Sequence, residues 1–154
     1  MGQQQLLLVI LVTIIVGIAT VVAINTFSSA ADSANLDAVR QDVANIAASA
    51  QGYYMKPTQL GGGGQSFASV TFNNISFASD TIAQTGFLSA VNANGKYVIS
   101  AAGATSFVIT AHPASDPDYD ASTLATAMGS TAGNTMSATA TRDDLTWTDS
   151  NWFS

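Results

Sequence analysis

The chain is 154 residues long, enough for one domain with a modest hydrophobic core. Only 9% of its residues are charged and 47% are apolar, and ten aspartates against four basic residues give a formal net charge of -6. Because an acidic surface repels phosphate backbones, this balance excludes a basic nucleic-acid-binding surface. The absence of cysteine excludes disulfides and thiolate metal sites.

An uncharged, apolar segment opens the chain. No ionisable side chain occurs before Asp32, and residues 6–24 read LLLVILVTIIVGIATVVAI. At a rise of about 1.5 Å per residue, such a helix spans the roughly 30 Å hydrocarbon core of a bilayer. It lacks the polar face that a soluble core helix would show. The segment therefore predicts a helix suited to a membrane.

Three interpretations of this segment compete. A cleavable secretory signal would need a basic start, which this sequence lacks. A single-span membrane anchor fits the length. The third interpretation is an anchor that later becomes the core of a helical polymer, where Gly17, Ala19 and Ala23 permit close helix approach. Burial against copies of itself would gain about 25 cal/mol per Å² of apolar area, which favours the polymer.

The helical pattern continues beyond the apolar segment and becomes amphipathic. No proline occurs before Pro57, so the pattern predicts one helix from Leu6 to about Tyr54. The glycines at 61–64 end it and are interpreted as a flexible connection. Apolar residues at spacings of three and four place one face on a core. That face comprises Leu36, Val39, Val43, Ile46, Ala50 and Tyr53.

The C-terminal part predicts a small antiparallel sheet. A turn at Asn94-Gly95 precedes a strand over 96–100, and a second strand over 106–111 ends at His112-Pro113, because proline donates no ladder hydrogen bond. Residues 137–141 and 145–148 predict another hairpin. The fold class is therefore α+β, with one long helix whose apolar first half precedes a half packed on the sheet. The predicted division is an apolar helix over 1–27, followed over 28–154 by the second half of the helix and the globular antiparallel sheet domain.

Four stretches together resemble the type IV pilin family, including the pseudopilins. They are the apolar helix, the glycine-rich segment at 60–67, the hairpin GKYVISAAGATSFVITAHP at 95–113, and ATATRDDLTWTDSNWF at 138–153. The resemblance implies a helix that anchors the subunit in the membrane and then forms the filament core. The residues that would carry assembly are Gln5, Leu6, Leu7, Leu8, Ile10, Leu11, Ile14, Ile15, Gly17, Ile18, Val21 and Ile24.

The sequence departs from the family pattern in several ways. Family members usually carry a glutamate near the mature N-terminus, and Gln5 takes that place if Met1 is the processed, methylated terminus. If Met1 is instead the initiator and cleavage follows Gly2, Leu7 falls there. The helix proline of many bacterial members would lie near Val22 and is missing, as are the family's cysteines.

Few residues point to chemistry. Asp116, Asp118 and Asp120 alternate as at the start of a calcium loop, but the later glycine and closing glutamate are missing, so a solvated acidic loop is favoured over a calcium site. His112 has no partner motif and is interpreted as a strand-end residue. Asn74 begins a glycosylation sequon, a tripeptide that often arises by chance. No catalytic residue and no cofactor are expected, and the chain is not expected to be an enzyme.

The resemblance therefore implies a major pilin, a structural subunit of an extracellular helical filament with roles such as adhesion, motility or biofilm formation. Its expected partners are copies of itself, the inner membrane before assembly, the pilus assembly machinery and a prepilin peptidase. Two alternatives stay open: a pseudopilin or minor pilin of a secretion system, and a membrane-anchored binding domain.

Overall fold

The computed structural model describes residues 2–119 and 135–148. The predicted α+β class is confirmed, since a long N-terminal helix precedes a small sheet in which every pairing is antiparallel. In the described residues the elements are α1 (Gly2–Met55), a 3-10 turn (Thr58–Leu60), β1 (Thr81–Ile82), β2 (Ser89–Val91), β3 (Gly95–Ser100), β4 (Ser106–Pro113), β5 (Met136–Thr141) and β6 (Leu145–Trp147).

The sheet order follows the chain order, β1-β2-β3-β4-β5-β6. The two hairpins predicted from the sequence, β3–β4 and β5–β6, are both present. The predicted end of β4 before His112 is wrong, because His112 pairs with Lys96 and Pro113 with Gly95. The strand ends at Pro113, which donates no ladder hydrogen bond. The short strands β1 and β2 were not predicted.

The chain divides into two compact units, residues 1–34 and 35–154. In the first unit every described residue belongs to α1 and is exposed. The second unit holds the rest of α1 and the sheet, and it contains the hydrophobic core.

The core of the second unit lies between α1 and one face of the sheet. The predicted helix face is buried, with Leu36 only partly so, and Ala47 joins it. Alternate residues of β4 and β5 pack against this face, because successive side chains of a strand point to opposite sides. The sheet and loop residues of the core are Phe67, Val70, Phe72, Ile75, Ala90, Tyr97, Ile99, Phe107, Ile109, Ala111, Met136, Ala138 and Ala140.

The glycine run at 61–64 caps the end of α1. The Gly63 amide donates to the Tyr53 carbonyl at 2.8 Å, and the Gly64 amide donates to the Lys56 carbonyl at 3.0 Å. These carbonyls would otherwise lack partners at the helix end. A Cβ on Gly63 would overlap the backbone carbonyl three residues further along the chain. The glycines therefore permit a close backbone approach, a role that the interpretation as a flexible connection missed.

Gly95 is a second position where only glycine fits. A Cβ there would overlap the His112 carbonyl on the neighbouring strand. We expect Gly95→Ala to lower the free energy of unfolding by about 2–4 kcal/mol, because either the β3–β4 ladder or the turn must shift. Gly52→Ala is the matched control, since nothing lies near its added methyl group and alanine favours the helix by about 1 kcal/mol. Urea unfolding of both full-length variants in detergent micelles measures the difference, and equal effects would contradict this assignment.

One aspartate ties α1 to the β2–β3 turn. Asp42 Oδ2 accepts hydrogen bonds from the Asn92 and Asn94 side-chain amides at 2.8 and 2.9 Å, and from the Tyr97 hydroxyl at 2.7 Å. Asn35 adds a further tie, because its amide donates to the Asn94 carbonyl at 3.0 Å. Since charge-assisted hydrogen bonds are the stronger kind, this network fixes the register of helix on sheet.

Tyr97 makes the stability of this network depend on pH. Burial, followed by the hydrogen bond to Asp42, raises the pKa of Tyr97 well above its ordinary value. In the unfolded chain this tyrosine ionises at about pH 10, whereas in the folded chain it keeps its proton. The contribution of Tyr97 to the free energy of unfolding is therefore complete below about pH 10 and is lost as the pH rises further. In alkaline solution the free energy of unfolding falls as the pH rises, and we expect Tyr97→Phe to make this slope shallower by about 1.4 kcal/mol per pH unit. Urea unfolding between about pH 9 and 11 measures both slopes, and equal slopes would contradict the expectation.

Candidate assembly surface

The apolar segment, defined here as residues 6–27, presents large hydrophobic side chains in every direction. Their exposed fractions run from 46% at Ile10 to 78% at Phe27. A helix exposed and apolar all round needs an apolar environment on all sides. By length and composition, α1 also qualifies as a membrane-spanning helix, and none of its most apolar window is buried.

All the residues predicted to carry assembly lie on α1 and are exposed, from Gln5 to Ile24. The prediction left out further side chains of the same exposure, namely Val9, Val12, Val16, Val22 and Phe27. The four valines could have been added from the sequence, because a segment without a polar face gives no reason to prefer one side. The proposed processed end, Met1, lies outside the described residues.

Four hydroxyl groups of α1 are hydrogen-bonded within the helix, namely the three threonines of the apolar segment and Ser33 beyond it. Each donates to a backbone carbonyl three or four residues earlier. The pairs are Thr13 to Ile10, Thr20 to Val16 and Thr26 to Val22, each at 2.8 Å, and Ser33 to Ser29 at 2.9 Å. Burying an unpaired hydroxyl in an apolar environment costs free energy. These hydroxyls can therefore enter a dry environment without needing an outside partner.

Gly17 lies in the middle of the apolar segment and, having no side chain, leaves the helix backbone exposed there. A Cβ there would meet nothing within 4 Å. Small residues let two helix backbones approach closely, which is how helices associate where no water is present. Gly17 is therefore placed where a neighbouring helix could come nearest.

The three aspartates of the calcium-like pattern are only partly described. Asp116 is buried, and its Oδ1 accepts the Asp118 amide at 2.8 Å and lies 3.7 Å from His112 Nε2. The Asp118 side chain is exposed, and Asp120 lies outside the described residues. In residues 2–119 and 135–148, no group of three acidic, histidine or cysteine side chains is arranged to hold a metal ion.

The remaining predicted positions are scattered over the second unit. Asn74 is exposed in a turn, and its side-chain amide donates to the Ser69 carbonyl at 3.1 Å. From the sequence, five aromatic side chains are expected to be packing residues, namely Tyr53, Tyr54, Trp147, Trp152 and Phe153. Tyr53 is buried and Tyr54 is half-buried, whereas Trp147 is exposed. Trp152 and Phe153 lie outside the described residues.

No protein-family model, no curated protein and no solved structure matches this chain. The fold class and the exposed apolar surface of α1 are therefore the features that bear on its function.

Proposed function

We propose that this protein is a structural subunit of an extracellular helical filament of the type IV pilin kind, assembled through its N-terminal helix. The observation that carries the proposal is the apolar segment, which is exposed on every side and has no ionisable side chain before Asp32. Its hydroxyls are already satisfied within the helix. Such a surface is stable in water only when it is covered.

In a filament, the apolar surface of each helix would be buried against the same helix of neighbouring subunits. Fully burying one valine, leucine or isoleucine side chain gains about 1.5–3 kcal/mol. The segment carries these residues on all sides, so each helix has surface for several neighbours. The summed gain over many side chains can exceed the cost of ordering a subunit in a polymer.

The charged residues follow the apolar segment, which supports a polar exterior around an apolar centre. All ten acidic side chains lie at or beyond Asp32. Net charge away from zero keeps an assembly soluble. The proposed life cycle is therefore anchoring in the inner membrane, processing by a prepilin peptidase, and polymerisation by the pilus assembly machinery. Adhesion, motility and biofilm formation are the proposed roles of the filament.

Electron microscopy of material sheared from the surface of producing cells tests the proposal. We expect long filaments made of this chain, identified by mass spectrometry, and the same spectra would define the residue at the processed N-terminus. A chain found only in membranes, released by detergent as a monomer, would instead support the membrane-anchored domain. That alternative has an observation in its favour, because the apolar run of residues 6–24 matches the thickness of a bilayer.

A further inference from the structure

His112, the only histidine of the chain, is buried, and its Nε2 has no hydrogen-bond partner in the part of the chain that the structure describes. His112 lies near the end of β4, and its side chain is only 5% exposed. It points away from the hydrophobic core, because Ala111 beside it faces that core and strand residues alternate. A buried polar atom without a hydrogen bond is uncommon and calls for an explanation.

A buried carboxylate lies just beyond hydrogen-bonding distance of this nitrogen. Asp116 Oδ1 is 3.7 Å from His112 Nε2, and the Asp116 side chain is 1% exposed. A hydrogen bond would need about 3.2 Å or less. Asp116 also organises the turn after β4, because its Oδ1 accepts the Asp118 amide and its carbonyl accepts the Tyr119 amide at 3.0 Å. A small movement of this turn would bring the two side chains into contact.

Among residues 2–119 and 135–148, the charged and titratable groups around His112 lie on β3 and in the turn after β4. Lys96 of β3 lies directly opposite in the sheet register and is itself buried. Asp116 and Tyr119 belong to the turn, and the Tyr119 ring meets the imidazole edge-on with centroids 5.6 Å apart. Lys96 brings a positive charge to this side of the sheet, and Asp116 brings a carboxylate. On β5, the residues paired with β4 carry no ionisable side chain.

We propose that His112 and Asp116 form a pH-sensitive latch that fastens the turn at 114–119 to the end of β4 when His112 is protonated. A neutral imidazole carries a proton on one ring nitrogen, whereas the cation carries protons on both. Protonation from solvent therefore makes Nε2 a donor, whichever tautomer is neutral. Asp116 Oδ1 then accepts this proton in a charge-assisted hydrogen bond, which is stronger than a neutral one.

Amide hydrogen exchange of the full-length chain in detergent micelles tests the latch, with a chelator present so that no cation takes part. Rates at about pH 8 and about pH 5 are divided by the intrinsic rates, so that only protection is compared. We expect the protection of the Asp118 and Tyr119 amides to rise about tenfold in acid. In His112→Gln and Asp116→Asn, each of which removes one titrating partner, the rise should disappear. The Ile46 amide in the helix core is the internal control and should not follow the change.

The wild-type chain alone also decides the matter if a variant does not fold. The ring ¹⁵N signals of His112 report protonation of Nε2 directly. These signals and the Asp118 protection should change with the same midpoint. Different midpoints, a rise that persists in His112→Gln, or a turn that loosens in acid because Lys96 repels the imidazolium would each overturn the latch.

Discussion

Ile14→Asp is expected to abolish filament formation while leaving the chain in the membrane. Ile14 lies in the middle of the apolar segment and is 55% exposed. In a filament the new carboxylate would be buried in every copy, and the apolar segment itself contains no basic residue to pair with it. An uncompensated buried charge costs several kcal/mol, about 3–5 when its partner is missing. We expect sheared filaments, quantified by sedimentation and immunoblotting, to fall at least ~100-fold.

Membrane insertion should survive the same change. One aspartate at the centre of a spanning helix costs about 2.5–3.5 kcal/mol, whereas each leucine, isoleucine or valine contributes about -0.3 to -0.6 kcal/mol. Thirteen such residues remain between positions 6 and 24, and together they outweigh the single charge. Membrane fractionation therefore separates a failure to assemble from a failure to insert.

Ile14→Leu is the matched control, because it keeps an apolar side chain of the same size at the same place. It should form filaments at nearly the wild-type level. Filaments of Ile14→Asp in normal amounts would contradict the proposal that this face is buried between subunits.

The second large effect is expected for Asp42→Ala in the sheet-bearing unit. The change leaves three donors without an acceptor, namely the amides of Asn92 and Asn94 and the hydroxyl of Tyr97. Unsatisfied buried donors cost about 1–3 kcal/mol each, and these are partly buried, so we expect a loss of about 3 kcal/mol in the free energy of unfolding. Urea unfolding of the full-length chain in detergent micelles measures it.

Asp37→Ala serves as its control on the same helix. Asp37 pairs with Arg40 at 3.0 Å, and the Asp37 side chain is 76% exposed. Exposed ion pairs contribute about 0–1 kcal/mol, so this variant should be nearly as stable as the wild type. Asp42→Asn keeps an oxygen acceptor without the charge, so its free energy of unfolding should lie between those of Asp37→Ala and Asp42→Ala. An equal loss in Asp37→Ala and Asp42→Ala would show that the network contributes little.

The elements that could be predicted from the sequence are those with a local pattern. The helix was predicted nearly to its observed end at Met55, because no proline interrupts it and glycines follow. The β3–β4 and β5–β6 hairpins were predicted from short β-rich runs beside turn residues. Strands β1 and β2 have two and three residues, too few to show alternation, and they exist because neighbouring strands offer partners.

Long-range features could not be predicted in the same way. The partners of Asp42 lie 50 to 55 residues further along the chain, and nothing near Asp42 marks it as different from Asp37. The closeness of His112 and Asp116 depends on β4 continuing past its predicted end. The apolar surface itself could be predicted because composition alone determines it. Phe27 was omitted because it lies beyond the continuous apolar run.

The strand order has a consequence for how the domain is made. Since each strand pairs with the one before it in the chain, the sheet can extend by one hairpin at a time while synthesis proceeds. At most steps the loop that joins two pairing strands is short, and a short loop closes quickly and at a small cost in chain entropy. The chain can thus complete its sheet progressively, with little time for unpaired strand edges to meet those of neighbouring chains.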